Sequence, residues 1–188
     1  MRINDAMVLF ADLQPFLVSS SKTLSPKRLA LGAATMARIA EVLELPVIFS
    51  IVPEQDHPEP VIPELSAFST AKNTLSRVPT DAFLDGPTVA AIEASGRKTL
   101  AISGFASEIV ILNTALSAIA AGYLVHVLTD AVGGVSERTE SAAFRQIERA
   151  GGTISSVLSF ASRLAPDFKN SPGSEVMKCL WPLFKPED

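Results

Sequence analysis

Asp12 and Arg77 carry the two side chains best suited to chemistry in this sequence. Asp12 ends the apolar run AMVLFA (6–11), where a carboxylate is partly desolvated and its pKa responds to neighbouring groups. Arg77 follows the segment TLS and offers a cation that would hold this carboxylate ionised or bind an anionic substrate. Each residue also has a purely structural interpretation, Asp12 as a turn cap or ion-pair partner and Arg77 as a surface residue.

The segment GFASEIV (104–110) is predicted to be a strand-to-helix elbow. The first N–H groups of a helix have no partners within it and carry partial positive charge, so they suit an oxyanion or another anionic ligand. Phe105, Ala106 and Ile109 are therefore candidates for oxyanion or substrate binding. Val110 stands in the first helical turn, where an enzyme of this architecture could place a nucleophile. A valine has no acid, base or nucleophile, so it can only shape a pocket.

The elements that must position these residues alternate along the chain as short apolar runs and amphipathic helical stretches. This alternation predicts an α/β fold in which helices cover both faces of a parallel sheet. We predict a three-layer, doubly wound sheet of six mainly parallel strands in the order 3-2-1-4-5-6. The strands are predicted at 6–11, 46–52, 74–78, 98–103, 123–131 and from 153, and the helices at 26–45, 86–96, 107–122 with Ser107 as N-cap, 137–152 and about 159–165.

This strand order predicts where a ligand would bind. In open α/β sheets the crevice lies at the carboxyl ends of the strands where the strand order reverses, which here means strands one and four. Strand one is predicted to end at Asp12 and strand four at Gly104. The topology therefore brings two segments that are distant in sequence to one cleft.

The composition argues against several classes of partner. The formal net charge of −4 and the absence of a Lys/Arg-rich run argue against nucleic acid. The apolar runs are too short for a membrane span, and the N-terminal stretch, interrupted by Asp12, does not have the pattern of a signal peptide. The single cysteine, Cys179, is typical of a reducing compartment. We therefore expect a cytoplasmic protein whose ligand is a small molecule, with no nucleic-acid or membrane partner.

Three blocks of sequence carry a family resemblance: VLFADLQ (8–14), RVPTDAF (77–83) and the longer stretch from LAISGFASEIV to LTDAVGG (100–134). They resemble the isochorismatase-like hydrolases, also called the cysteine hydrolase superfamily, over about residues 5–168. The resemblance implies the six-stranded fold described above, and a non-proline cis peptide at Phe105–Ala106. We expect a hydrolase-like domain over residues 1–168 and a C-terminal tail over residues 169–188.

The resemblance also implies site residues, with one departure. In the amidase-type members an Asp, a Lys and a Cys form a triad in which the Cys attacks a C–N carbonyl and forms a thioester. The Asp position matches Asp12, the Lys position falls on Arg77 and the Cys position falls on Val110. Because losing the nucleophile of such a unit costs about 10⁶ in rate, the thioester route is effectively closed. Cys179 lies in the tail beside Trp181 and is not expected to replace it.

Some relatives, the isochorismatases proper, also lack the Cys and are thought to cleave a vinyl ether with the Asp as acid. By that resemblance Asp12 would be protonated and would donate to the substrate, with water adding afterwards. Arg77 beside it would lower the pKa of Asp12 and oppose this role, unless a substrate carboxylate occupied the guanidinium.

Neither a metal nor another cofactor is expected. The chain has two histidines, and a zinc site needs three or four ligands. The nicotinamidase-like branch places an Asp and several His in the Pro-rich loop, where EQDHPEP (54–60) offers only Asp56 and His57. His126, in the middle of a strand, is predicted to be a core or interface residue.

Three hypotheses about function therefore stand. The first is a hydrolase that acts on a small organic substrate without a thiol. The second is a catalytically inactive relative that binds a ligand or a partner. The third is a structural component of a homo-oligomer, since the family generally forms dimers, tetramers or larger rings.

Overall fold

Six parallel strands form the central sheet of the computed structural model, which describes residues 1–54, 57–58 and 61–185. The strands are β1 (Ala6–Ala11), β2 (Val47–Ile51), β3 (Thr74–Ser76), β4 (Thr99–Phe105), β5 (Leu124–Gly133) and β6 (Thr153–Ser155). Their order is β3-β2-β1-β4-β5-β6, and every neighbouring pair is parallel. The predicted fold class and the predicted order 3-2-1-4-5-6 are confirmed.

Helices cover both faces of this sheet. They are α1 (Pro15–Val18), α2 (Pro26–Val42), α3 (Gly86–Ala94), α4 (Leu112–Ala120), α5 (Glu137–Arg149), α6 (Val157–Leu164) and α7 (Gly173–Leu180). Short 3₁₀ turns lie at Ile3–Asp5, Pro63–Leu65, Ala82–Leu84 and Trp181–Phe184, and Pro53–Glu54 pairs antiparallel with His57–Pro58.

Strand β1 is buried along its whole length because helices pack on each side of it. Val8 and Phe10 belong to one apolar cluster together with residues of α2, α6 and α7. Met7 and Leu9 belong to a second cluster with residues of α3, α4 and α5. Alternate residues of a strand point to opposite faces, so the continuous apolar run AMVLFA is what a central parallel strand requires. Within the described residues, no helix combines the length and the apolar character needed to cross a bilayer.

The elbow after β4 differs from the prediction. Ser107 was predicted to cap the helix, but Ala106 occupies the N-cap position and Ser107 begins a π-helical turn, Ser107–Ile111, that precedes α4. The Ser107 hydroxyl donates to Glu140 Oε1 at 2.7 Å. A carboxylate from α5 is a stronger acceptor than a neutral group, and it draws this hydroxyl away from the capping position.

The segment expected to be a tail contains the helix α7. Val176 and Leu180 are buried in the apolar cluster that also contains residues of α2 and α6. The spacing of these two residues, four apart in SEVMKCL, is the signal that indicates such a helix. The Trp181 and Phe184 rings that follow are 60% and 57% exposed. The domain boundary at residue 168 stays a prediction.

Candidate active site

The side chains of Asp12 and Arg77, which the sequence singled out separately, form an ion pair. Arg77 Nη2 donates to Asp12 Oδ1 at 2.6 Å. The Arg77 side chain is fully buried and that of Asp12 is 11% exposed. The pair lies just beyond the carboxyl ends of β1 and β3, on the edge of the sheet where the topology predicts a crevice.

The backbone at Asp12 holds its carboxylate in this place. Strand β1 ends at Ala11, which pairs with Ser50 of β2. The Asp12 N–H then donates to the Ser50 carbonyl at 2.9 Å. Asp12 itself adopts the left-handed conformation with φ 57°, which Asp tolerates better than most residues. The chain therefore turns sharply at Asp12 while the residue stays attached to the end of β2.

The guanidinium of Arg77 is occupied within the protein. Its Nε donates to Ser50 Oγ at 2.9 Å, its Nη1 donates to the Pro79 carbonyl, and its Nη2 donates to Asp12. The sequence allowed two roles for Arg77, holding Asp12 or binding an anionic substrate. Because each guanidinium nitrogen already has an acceptor and the side chain is buried, the contacts favour the first role.

The pKa of the Asp12 carboxyl is raised above its ordinary value because burial removes water from the charged form. The charge and the hydrogen bond of Arg77 lower this pKa, but they do not cancel the effect of burial. The expectation that Arg77 lowers this pKa is therefore confirmed, and burial, which the sequence does not give, sets the net direction. A carboxyl that keeps its proton to higher pH is suited to act as an acid.

The elbow that follows β4 is in contact with β1, the strand that precedes Asp12. Gly104 pairs with Ala11, and a Cβ on Gly104 would lie 2.0 Å from the Ala11 carbonyl oxygen, so only glycine fits there. The next peptide bond, Phe105–Ala106, is cis, as the resemblance implied. Phe105 and Ala106 are both buried. The start of the elbow therefore lies beside the end of β1.

Val110 and Ile109 differ in their exposure. Val110 is 1% exposed and belongs to the apolar cluster of Ala11 and Ile111, whereas the Ile109 side chain is 48% exposed. The Ile109 N–H donates to the Ala106 carbonyl at 3.1 Å. This amide is engaged within the turn, so Ile109 offers a ligand its side chain rather than its N–H. The functional roles of Phe105, Ala106, Ile109 and Val110 stay predictions.

Two further residues support the site and were missed in the sequence. Ser50 holds Arg77 as described, and Gln14 is fully buried. Gln14 Nε2 donates to the Val52 carbonyl at 2.8 Å, and its Oε1 accepts from the Val52 N–H at 3.0 Å. These contacts join the segment after β1 to the segment after β2. The signal for Ser50 was present, since it is the one polar residue in the apolar run VIFSIV.

No three His, Cys, Asp or Glu side chains come together as a possible metal site in the part of the chain that the structure describes. The pair Asp56 and His57 lies outside the described side chains. His126 is 8% exposed, and its ring packs 5.3 Å from that of Phe160. Burial lowers the pKa of His126, so its imidazole is a neutral core group.

The family model described as "Isochorismatase domain" matches residues 6–158, a span that contains Asp12, Arg77 and Val110. The chain belongs to the isochorismatase family. Among relatives of this isochorismatase-domain chain, the probable hydrolase YcaC of Escherichia coli K12 is 31% identical over 168 residues, covering 89% of this chain and 81% of the relative. Isochorismatase domain-containing protein 2 of Rattus norvegicus is 27% identical over 155 residues, covering 79% of this chain and 69% of that protein.

Solved structures of relatives share the fold over almost the whole isochorismatase-family chain. The YcaC gene product of E. coli, described as an octameric hydrolase of unknown specificity, superposes with a TM-score of 0.86 at 29% identity, covering 98% of this chain and 88% of that one. YcaC from Pseudomonas aeruginosa, solved with hexane-2,5-diol and covalent acrylamide, gives a TM-score of 0.88 at 28% identity, covering 97% and 92%.

Proposed function

We propose that this isochorismatase-family protein hydrolyses a small organic molecule without the thioester chemistry of its Cys-containing relatives, and that Asp12 is the acid and base of the reaction. The observation that carries the proposal is the buried pair of Asp12 and Arg77, in which burial raises the pKa of the carboxyl. A carboxyl with a raised pKa in a crevice is a candidate for proton transfer.

The steps follow from the roles of these groups. Asp12 donates its proton to the substrate as the bond to the leaving group breaks, and water then adds and returns a proton to the carboxylate. Arg77, held by Ser50, keeps the carboxyl in place. Elbow amides other than that of Ile109 orient the substrate by donating to its oxygen atoms. A valine at position 110 has no group that forms a covalent bond to a substrate, so no step of this reaction is covalent.

Asp12→Asn tests this proposal. Asparagine tolerates the same backbone conformation and still accepts from Arg77, but its amide does not transfer a proton as a carboxyl does. We expect wild-type turnover in a screen of enol ethers, amides, esters and ureides, and a loss of about 10²–10⁴-fold in the variant. Asp5→Asn, a change of an exposed carboxylate before β1, is the matched control and should leave the rate unchanged. The proposal fails if no class of substrate is turned over faster by the wild type than by Asp12→Asn.

A second candidate function is that of a catalytically inactive family member that binds a small molecule. The observation that favours it is Val110 itself, which is 1% exposed and packs as an ordinary core residue at the nucleophile position. The Val110→Cys variant described in the Discussion separates the two candidates.

We also infer that the protein is a homo-oligomer, and we place it in the cytoplasm because its one cysteine, Cys179, is a free thiol. The E. coli relative is described as octameric, and the similarity to it covers 98% of this chain. The exposed rings of Trp181 and Phe184 give the surface an apolar area that assembly could cover. Light scattering should give a mass that is a multiple of 19.9 kDa. A mass of one chain at micromolar concentration would contradict the inference.

A further inference from the structure

We propose that Glu108 and Glu140 are positioning residues that clamp the turn Ser107–Ile111 onto the N-terminal end of α5 and so set the direction of the elbow amides at the candidate site. The inference rests on the proposed location of the site, but it does not require that the native protein turns over any substrate.

The carboxylate of Glu108 reaches from the elbow to the connection between β5 and α5. Its Oε1 accepts from the Val135 N–H at 3.0 Å, from the Ser136 N–H at 3.3 Å and from Thr139 Oγ1 at 2.6 Å. Ser136 is the N-cap of α5 and Thr139 lies in its first turn. A single side-chain oxygen of the elbow is therefore bonded to three groups at the start of α5.

Glu140 of α5 makes the reciprocal contact. Its Oε1 accepts from Ser107 Oγ at 2.7 Å and from Thr23 Oγ1 at 3.0 Å. Thr23 Oγ1 in turn accepts from the Gly134 N–H at 2.7 Å. A carboxylate of the elbow thus accepts hydrogen bonds from the start of α5, and a carboxylate of α5 accepts one from the elbow.

Both carboxylates converge on Gly134. A Cβ at this position would lie 3.0 Å from Glu108 Oε1 and 3.1 Å from Glu140 Oε1. Among the described residues neither glutamate has an ion-pair partner, and Glu108 Oε2 is buried without a hydrogen bond. These two carboxylates are bonded only to neutral donors, and one of their oxygens is buried without a partner. Such an arrangement contributes little to the stability of the folded state. We attribute the arrangement to positioning.

The turn gains from such support because two of its N–H groups compete for one acceptor. The N–H groups of Ile109 and Ile111 share one acceptor, the Ala106 carbonyl, at 3.1 and 3.3 Å. A π-helical turn is rare and has wider, poorer geometry than an α-helical turn. Without the two carboxylates, the turn is expected to relax and its amides to change direction.

A thiol at position 110 reports on these amides without any substrate. The parent protein is Val110→Cys with Cys179→Ser, so that it contains one thiol. Amides at the start of a helix lower a thiol pKa, and the ultraviolet absorbance of the thiolate against pH and the rate of alkylation by iodoacetamide both measure this effect. We compare Glu108→Ala, Glu140→Ala, Glu108→Gln and Gly134→Ala in this background, with Glu137→Ala as control, because Glu137 is an exposed carboxylate in the same turn of α5.

The sign of the change decides the question. If the carboxylates position the turn, Glu108→Ala and Glu140→Ala raise the thiol pKa and slow alkylation at neutral pH by about tenfold. Glu108→Gln, which keeps an acceptor, retains the parent rate. If the carboxylates act only through their negative charge, removing one lowers the thiol pKa and speeds alkylation. Glu137→Ala would then have a similar but smaller effect, because its carboxylate is farther away. That outcome would show the inference to be wrong.

Two further outcomes keep the test decisive. Gly134→Ala puts a Cβ 3.0–3.1 Å from both carboxylates without deleting either, so each must shift by a few tenths of an ångström. It should slow alkylation, by less than loss of a glutamate does, even if an alanine variant of a glutamate does not fold; faster alkylation would contradict the clamp. A parent thiol whose pKa is above the ordinary range shows that burial and the charge of Asp12 outweigh the amides at position 110, and that result overturns this inference together with the proposed role of the elbow amides. A parent thiol of low pKa that no variant alters overturns the inference and leaves the proposed function standing.

Discussion

Val110→Cys is expected to give the protein amidase and esterase activity at least about 10³-fold above that of the wild type. The reason lies in the proposed site, in which position 110 shares the crevice with Asp12. A buried carboxylate is held by an arginine at the end of β1, and Gly104 of the elbow lies against the backbone of the same strand. A thiol needs a base and a positive environment to become a nucleophilic thiolate, and in the proposed site the Asp12 carboxylate and the elbow amides would supply both.

The measurement detects the covalent acyl-enzyme intermediate itself. Activated esters and simple amides should give a burst of product, followed by slower steady turnover, and mass spectrometry should detect an acyl group on the thiol introduced at position 110. Val110→Ser is the matched control, because a serine hydroxyl is a far weaker nucleophile without a strong base. Adding Asp12→Asn to Val110→Cys should remove most of the gain. The expectation is contradicted if Val110→Cys shows no adduct and no burst while circular dichroism shows that its fold is intact.

The same variant separates the two candidate functions. A wild type that hydrolyses some substrate through Asp12, and a Val110→Cys variant that gains a different, covalent reaction, is the outcome expected of a hydrolase that works without a thiol. If the wild type turns over no class of substrate while Val110→Cys is active, the protein is a catalytically inactive family member that keeps the rest of the site.

The strand order and the approach of the ends of β1 and β4 could be predicted because both follow from the alternation of strands and helices along the sequence. Apolar runs that alternate with helices leave few topologies open, and the topology places the end of β1 beside the end of β4. The register confirms this arrangement, since Ala11 pairs with Gly104. That Asp12 and Arg77 would meet was one of two interpretations of their residue types, and the distance of 2.6 Å decides between them.

Features that depend on contacts between distant side chains could not be predicted from local pattern. Ser107 has the residue type and position of an N-cap, but Glu140, thirty-three residues away, takes its hydroxyl. The direction of the Asp12 pKa depends on how much burial outweighs the charge of Arg77, and burial is a property of the fold. Sequence spacing also carries no information about the contacts of Gln14 with Val52, which close only when β1 and β2 pair.

Arg77→Met is expected to destabilise the fold by about 3–5 kcal/mol at neutral pH, which is the usual cost of removing one partner of a buried ion pair. Methionine fills much of the volume but leaves the Asp12 carboxylate without its cation. Ser50 Oγ and the Pro79 carbonyl lose their donors as well. Urea unfolding, followed by circular dichroism, measures the loss, and Arg138→Met, at an exposed position of α5, should change the free energy of unfolding by less than about 0.5 kcal/mol.

The loss should depend on pH with a defined sign. Without Arg77, the effect of burial on Asp12 is unopposed, so the folded-state pKa of its carboxyl rises further above the ordinary value of 3.8. A folded state that holds a proton more tightly than the unfolded chain is stabilised at low pH and loses that stabilisation as the pH rises through the folded-state pKa. Arg77→Met should therefore lose least relative to the wild type near pH 4, where the remaining loss comes from the unpaired Ser50 Oγ and Pro79 carbonyl, and fall further behind it as the pH approaches neutrality.

The double variant Arg77→Met with Asp12→Asn isolates the charge interaction. Asparagine removes the charge that methionine leaves uncompensated, so the double variant should be more stable at neutral pH than Arg77→Met alone, and the two single effects should fail to add by about 2 kcal/mol. The pH dependence should also disappear, because the titrating group is gone. If the two effects add and the pH dependence remains, the ion pair is not what holds Asp12 in place, and the arrangement at the ends of β1 and β3 must depend on the backbone bonds of Ser50 instead.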